Sequence, residues 1–210
     1  MALDFLDAAT QLVRIGQRFD ARGWVLGTSG NFSLVTRRAP LTLAITRSGT
    51  HKGELTTDAI LEVDDRGTSV GANAGSPSAE TRLHLQIVAA RPAAAVLHTH
   101  SIWSTLLSDR YAAQGGVAIE GYEMLKGLAG VTTHEHREWI PILENDQDMA
   151  RLSPVVAATL RDHPDCHAFL LRRHGLYTWG TTLPEAVRHV EIVEFLLESV
   201  GRKEAAPWPS

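Results

Sequence analysis

Apolar residues at Leu6, Ala9, Leu12, Val13, Gly16 and Phe19 recur at helical spacing, and Gly23 follows where a helix would be capped, so the chain opens with an amphipathic helix. Two short β-type runs come next, Phe32 to Thr36 and Leu41 to Thr46. Each adjoins a loop of small polar residues, Gly27-Thr28-Ser29-Gly30-Asn31 before the first and Ser48-Gly49-Thr50 after the second. Asp64-Asp65-Arg66-Gly67 reads as a turn and Thr68 to Ser76 as a small-residue loop. Pro77-Ser78 then opens a helix from about Ala79 to Ala90, with Ser78 as its cap and Glu80 in its first turn.

Apolar runs predict buried strands at Ala95 to Thr99, Trp139 to Leu143 and Ala168 to Leu171, with a helix from about Gln147 to Arg161 between the last two. A final helix begins at Thr182, Pro184 and Glu185, a capping box with proline at the first helical position. Its apolar face runs through Val187, Val190, Val193, Phe195 and Leu197 to Gly201, and Glu204 to Ser210 form a frayed tail. Strands and helices alternate without repeat or linker, which predicts one α/β domain over residues 1–203. Pattern alone leaves the strand directions open.

Composition narrows the function. The 210 residues include 24 acidic and 20 basic side chains, a formal charge of -4, with no Lys/Arg-rich run. Polyanion binding would need many phosphate contacts, so a nucleic-acid partner is excluded. The longest apolar stretches fall far short of the ~20 residues that cross a bilayer, and Asp4 and Asp7 stand where a signal peptide would carry positive charge. The expectation is a cytoplasmic protein without membrane contact. A chain of this length buries enough apolar surface to fold without a metal staple, so any metal serves function. Cys166, the only cysteine, excludes an intrachain disulfide and reads as a small buried hydrophobe.

The sharpest chemical feature is His98-Thr99-His100 at the end of an apolar strand, because alternate side chains of a strand share a face and two imidazoles can meet one cation. His174, in Arg173-His174-Gly175 after another apolar strand, supplies a third donor. Three histidines with open positions are the pattern of a catalytic divalent site, and imidazoles favour zinc. The rival pair in His134-Glu135-His136 sits in a polar loop and ranks below it. His51, His84, His163, His167 and His189 read as hydrogen-bonded structural residues. The two small-residue loops could form a nest of N–H groups for an anion, with Thr28, Asn31 and Ser48 adding donors and Lys52 a charge. Glu80 and Glu123, the latter in Gly121-Tyr122-Glu123-Met124, are the carboxylates placed for acid/base work; a nearby cation would lower their pKa and an apolar pocket would raise it.

Gly27 to Asn31, Ser48-Gly49, Pro77 to Glu80, His98 to His100 and His174-Gly175 occur in the order of the class II aldolase/epimerase family, which the chain resembles over about residues 5 to 200. Lys52-Gly53, His98 to Ser101, Gly121 to Met124, Asn145 to Met149 and His174 to Gly180 resemble most the members of that family that dehydrate 5-methylthioribulose-1-phosphate in methionine salvage. The resemblance implies a mixed, largely antiparallel sheet flanked by helices in three layers. It also implies one zinc per subunit on His98, His100 and His174, and a homotetramer with sites near subunit boundaries. Thr28, Gly30, Asn31, Ser48, Gly49, Ser78 and Lys52 would hold the substrate phosphate, Glu123 would act as acid/base, and Glu80 would stand beside the metal. Two departures are Arg47, where proline is usual, and Ala79, where sugar-phosphate aldolases have a serine. An aldolase or 4-epimerase acting on a short ketose phosphate is the alternative. A non-catalytic adducin-like domain would be expected to have lost the histidines.

Overall fold

Asp4 starts the first helix, α1 (Phe5–Asp20), by accepting the Leu6 N–H at 2.9 Å, and Gly23, in the left-handed region, donates to the Asp20 carbonyl where the chain leaves it. The computed structural model describes residues 3–73 and 75–205. Eight strands follow in one sheet: β1 (Asn31–Arg38), β2 (Leu41–Thr46), β3 (Ile60–Asp64), β4 (Ala95–Thr99), β5 (Gly116–Glu120), β6 (Arg137–Leu143), β7 (Ala168–Leu171) and β8 (Gly175–Gly180). Their order is β3-β2-β1-β4-β8-β7-β6-β5, and only β6 and β7 run parallel. The largely antiparallel mixed sheet is the one the resemblance implied.

Four more helices complete the layers: α2 (Thr81–Ala90), α3 (Ile102–Arg110), α4 (Met149–Asp162) and α5 (Leu183–Ala205). α1 and α5 bury Leu12, Phe19 and Val190 against Phe32 and Leu97, while α3 and α5 bury Leu107 and Leu196 against Val117 and Leu170. On the other face α2 and α4 close over Leu43, Val96, Phe169 and Tyr177. The result is an α/β domain of three layers. Among the described residues no helix is long and apolar enough to cross a membrane.

Several elements differ from the sequence reading for identifiable reasons. The Ser78 hydroxyl accepts the Glu80 N–H at 3.2 Å and its carbonyl accepts that of Thr81, so this turn delays α2 and leaves Glu80 just before the helix, not inside its first turn. Thr182 and Glu185 cap α5, although the Glu185 carboxylate returns to the N–H of Thr181, one residue earlier than a capping box requires. Proline therefore occupies the second helical position. α5 also continues past Gly201, because a Cβ there would lie 2.1 Å from the Trp103 ring: this glycine makes room for a side chain from α3. Glu204, expected in the tail, pairs with Arg110 at 2.6 Å, and only residues 206–210 of that tail lie outside the described ones.

Side-chain alternation in β4 sets up the site. Val96 belongs to the core beneath α2 and α4, and His98 shares its face; Leu97 belongs to the core beneath α1 and α5, and Thr99 shares that one.

Candidate metal centre and anion pocket

Strand register lays Asn31, His98, Tyr177 and Phe169 side by side across β1, β4, β8 and β7. The Tyr177 ring stacks on His98 at 3.9 Å and on Phe169 at 4.9 Å, which fixes the buried His98 imidazole between neighbours. His100 follows one strand period later, its backbone N–H donating to the Trp24 carbonyl at 2.7 Å. His174 stands in the tight turn between β7 and β8, behind Arg173 at φ 56°. The three imidazoles converge: His98 Nε2 lies 2.7 Å from His100 Nε2 and 3.3 Å from His174 Nε2.

Gly175 makes this approach possible, since a Cβ at that position would lie 2.1 Å from the Thr99 carbonyl oxygen and 3.1 to 3.2 Å from the His98 and His100 rings. Behind the site, on the opposite face of the sheet, the Thr99 hydroxyl donates to Glu194 of α5 at 2.7 Å. Glu194 is fully buried, and burial pushes its carboxyl up to about 7 despite the bonds it receives.

The donor set fits a cation. His98 Nδ1 donates to the Leu176 carbonyl at 2.9 Å and His174 Nδ1 to the Asn145 amide oxygen at 3.2 Å, so both Nε2 atoms carry lone pairs into the same space. Glu80 adds an oxygen 3.4 Å from one and 3.2 Å from the other. Burial would raise the pKa of that carboxyl, but positive charge at the His98 and His174 ring edges, a proton or a bound cation, and the bond from Tyr177 outweigh it and hold Glu80 well below the usual carboxylate range. Burial, followed by the charge of neighbouring imidazoles, lowers His100 to about 3 and His174 to about 4. Lone pairs and a carboxylate facing one another at these distances repel unless a positive ion lies among them.

Glu80 is held by a directional chain. The Tyr177 hydroxyl donates to Oε1 at 2.9 Å, and the Asn31 amide nitrogen donates to Oε2 at 2.6 Å. An anionic Glu80 needs that donor, so the Asn31 amide oxygen faces His84 and accepts from its Nε2. Burial lowers His84 to about 3, and the neutral ring accepts from the Ser33 hydroxyl at its Nδ1, 2.7 Å away.

Beside the histidines lies a cavity of about 250 Å³ whose wall includes Thr28, Gly30, Asn31, Ser48, Gly49, Lys52 and Ser78, the whole set expected around a phosphate, together with Ser29 and Arg47. Asn31 takes part as a wall residue, because its amide is committed to Glu80 and His84. Lys52 is 1% exposed, and its ammonium donates to the carbonyls of Thr28 at 3.0 Å and Thr50 at 2.7 Å, which leaves one of its three donors for a ligand. Burial lowers its pKa to about 8, partly offset by Glu80.

Glu123 is not in this cluster. Its carboxylate is 72% exposed and pairs with Lys126 at 2.7 Å, which together with His134 keeps its pKa below the usual range. His134 is exposed, while His136 bonds Glu138, and no second group of metal donors occurs among the described residues. Sequence reasoning missed Tyr177, Asn145, His84 and Glu194 as parts of the site. Asn145 and Tyr177 lay inside strings that carried the family resemblance, and His84 follows Glu80 by four residues, the spacing of one helix face; Glu194 left no signal.

Residues 10–200 match the class II aldolase and adducin N-terminal domain family. Methylthioribulose-1-phosphate dehydratase of Pseudomonas fluorescens is 46% identical over 199 residues, covering 94% of each chain. The protein of that name from Methylococcus capsulatus is 45% identical, covering 93% of each. Among solved structures, an L-fuculose 1-phosphate aldolase superposes with a TM-score of 0.78 at 23% identity, covering 97% of this chain and 89% of its own. L-fuculose-1-phosphate aldolase of Thermus thermophilus superposes with a TM-score of 0.74 at 23% identity, covering 95% and 97%.

Gly175→Ala should separate the ends of β4 and β8, lowering thermal stability and weakening uptake of a divalent cation at least about tenfold. Wild-type melting and cation titration in that variant would show that the close approach of Gly175 to Thr99 is dispensable.

Proposed function

The chain belongs to the class II aldolase and adducin family, and we propose that within it this protein is a zinc-dependent hydro-lyase converting 5-methylthioribulose-1-phosphate to 2,3-diketo-5-methylthiopentyl-1-phosphate, a cytoplasmic step of methionine salvage. The observation that carries this reading is the junction of two half-sites. His100 of the converging triad and the anionic Glu80 line one cavity, and a buried lysine with a small-residue nest lines the same cavity. Relatives named for the dehydratase, at 45 to 46% identity across nearly the full length, support the substrate.

In this reading His98, His100 and His174 hold one zinc ion. When bound, it supplies positive charge to substrate oxygens that become negative as the C3 proton leaves. Lys52, Ser48, Gly49, Gly30, Thr28 and Ser78 grip the phosphate and so fix where the reacting carbons lie. Glu80, kept ionised by its neighbours, orients the reacting end. Glu123, ionised at the outset, takes the C3 proton as base and then, as the acid so formed, gives a proton to the departing C4 hydroxyl, which leaves as water; the enol that remains rearranges to a diketone. Its exposed position fits delivery to a neighbouring subunit's cavity in a homotetramer. So do the exposed apolar side chains near the metal ligands and near Glu123: Ile102 and Leu106 follow the histidine pair, and Met124 adjoins Glu123. An aldolase would use the same cation and phosphate grip but break the C3–C4 bond.

His98→Ala, His100→Ala and His174→Ala should each remove bound zinc, whereas His134→Ala and His136→Ala should keep it; elemental analysis of the purified variants decides, and full zinc in His174→Ala would sink the triad. Lys52→Ala should lose a charge-assisted contact of about 1.5 to 3 kcal/mol, or roughly tenfold to a hundredfold in kcat/KM. Because Lys52 is charged only below its lowered pKa of about 8, wild-type kcat/KM should decline as pH rises through that value, and this limb should vanish in the variant. Product analysis tests the reaction itself. Methylthioribulose phosphate should give the dehydrated diketone phosphate, and two fragments would establish the aldolase instead. Glu123→Gln should keep zinc and KM while kcat falls roughly a hundredfold; Glu80→Gln should also weaken zinc retention.

A further inference from the structure

At the opposite end of β7 and β8 from the histidine triad, a second group of titratable residues surrounds a cavity of about 470 Å³ and grips the segment that follows Glu123. His167 Nε2 meets the Ala129 carbonyl at 2.8 Å, and its Nδ1 meets both Glu138 oxygens at 3.1 Å. Both ring nitrogens therefore face acceptors. The Glu138 carboxylate, 1% exposed, also accepts the His167 backbone N–H at 3.0 Å and His136 Nε2 at 2.8 Å. With so many donors converging on it, the negative charge stays on Glu138 and both protons stay on His167, which is an imidazolium.

His189 does the complementary task. Its Nδ1 donates to the Trp179 carbonyl at 2.7 Å, so its Nε2 carries the lone pair that accepts the Ala129 N–H at 3.1 Å. One charged and one neutral histidine thus hold the carbonyl and the N–H of a single residue. Upstream, the segment Glu123–Gly127 is a tight helical turn anchored by the buried Leu125 and Leu128, with Gly127 so close to α5 that a Cβ would overlap Ile192. The Ala129 peptide is the polar end of that anchorage, six residues from the carboxylate.

We propose that His167 and His189 clamp Ala129 and are positioning residues for Glu123, fixing the carboxylate that this turn carries toward a neighbouring active site. The proposal rests on the reading of Glu123 as the acid/base of the reaction. It also predicts a pH window. Burial would lower His167, but the bond and charge of Glu138 prevail and raise it above the ordinary histidine value, whereas burial lowers His189 below it despite the Trp179 bond. Glu138 from β6 and His136 just before that strand face the pair, as do Glu185 and Arg188 from α5, while Arg91 lines the same cavity with Asp165 and Cys166. Acid adds a proton where His189 must accept, and base removes one where His167 must donate, so the clamp is complete only between the two.

Hydrogen–deuterium exchange of the peptide spanning residues 121–131, in the zinc-loaded full-length enzyme and corrected for intrinsic rate, reads the clamp without reference to catalysis. Protection should be highest near the ordinary histidine pKa and fall on both sides. Constant protection across that range would overturn the clamp. Its catalytic consequence is read in His189→Leu, where kcat should drop about tenfold to a hundredfold with zinc content and KM nearly unchanged. His189→Gln, which keeps one donor and one acceptor, should recover most of the loss. A His189→Leu enzyme with wild-type kcat, or one in which kcat, KM, zinc and melting temperature decline together, would overturn the positioning role; if this variant does not fold, the exchange profile of the wild type decides alone. A wild-type rate in Glu123→Gln would instead refute the reading of Glu123, and exchange would still report on the clamp.

Discussion

A carboxylate that is buried yet ionised organises the open end of the central strands. Glu80 sits where water cannot solvate it fully, and its charge survives because Tyr177 and Asn31 donate to it and positive charge is held beside it. The same requirement explains why β1, β4 and β8 keep their register. Asn31, His98 and Tyr177 are cross-strand neighbours, and a slip of one residue would turn all three away from Glu80.

The elements that could be read from sequence are those that carry their own pattern, a continuous apolar run or a one-sided apolar stripe between caps. β4 and β7 have the bounds expected for them, since a continuous buried run needs no partner to be recognised. α3 escaped notice because Ile102 and Leu106 are exposed while Leu107 is buried, which removes the helical stripe. β8 begins and ends in glycine, a pattern closer to a turn than a strand, yet all six residues are buried. Strand direction belongs to the paired partners and cannot be carried by a single run.

The site was legible to the extent that one element carried it. His98 and His100 share a strand face and could be paired by periodicity, and the small-residue loops announced themselves by composition. That His174 joins them depends on a turn behind Arg173 and on Gly175 admitting the Thr99 carbonyl, which is a long-range fact. The roles of His84 and Asn145 are likewise products of assembly: each is an ordinary polar residue until a neighbour from another element fixes its tautomer or its orientation.

The chain of bonds from Ser33 through His84 and Asn31 to Glu80 runs in one sense only, each member donating to the next. A one-way chain has no spare proton with which to adjust. Exchanging the Asn31 amide nitrogen for an oxygen would alter the molecule by a single mass unit and leave its shape intact, yet it would set a second acceptor against Glu80. A shape-preserving swap between Asn and Asp, harmless on most surfaces, is therefore at this position a change of electrostatic sign. The identity of the atom matters here more than the space it fills.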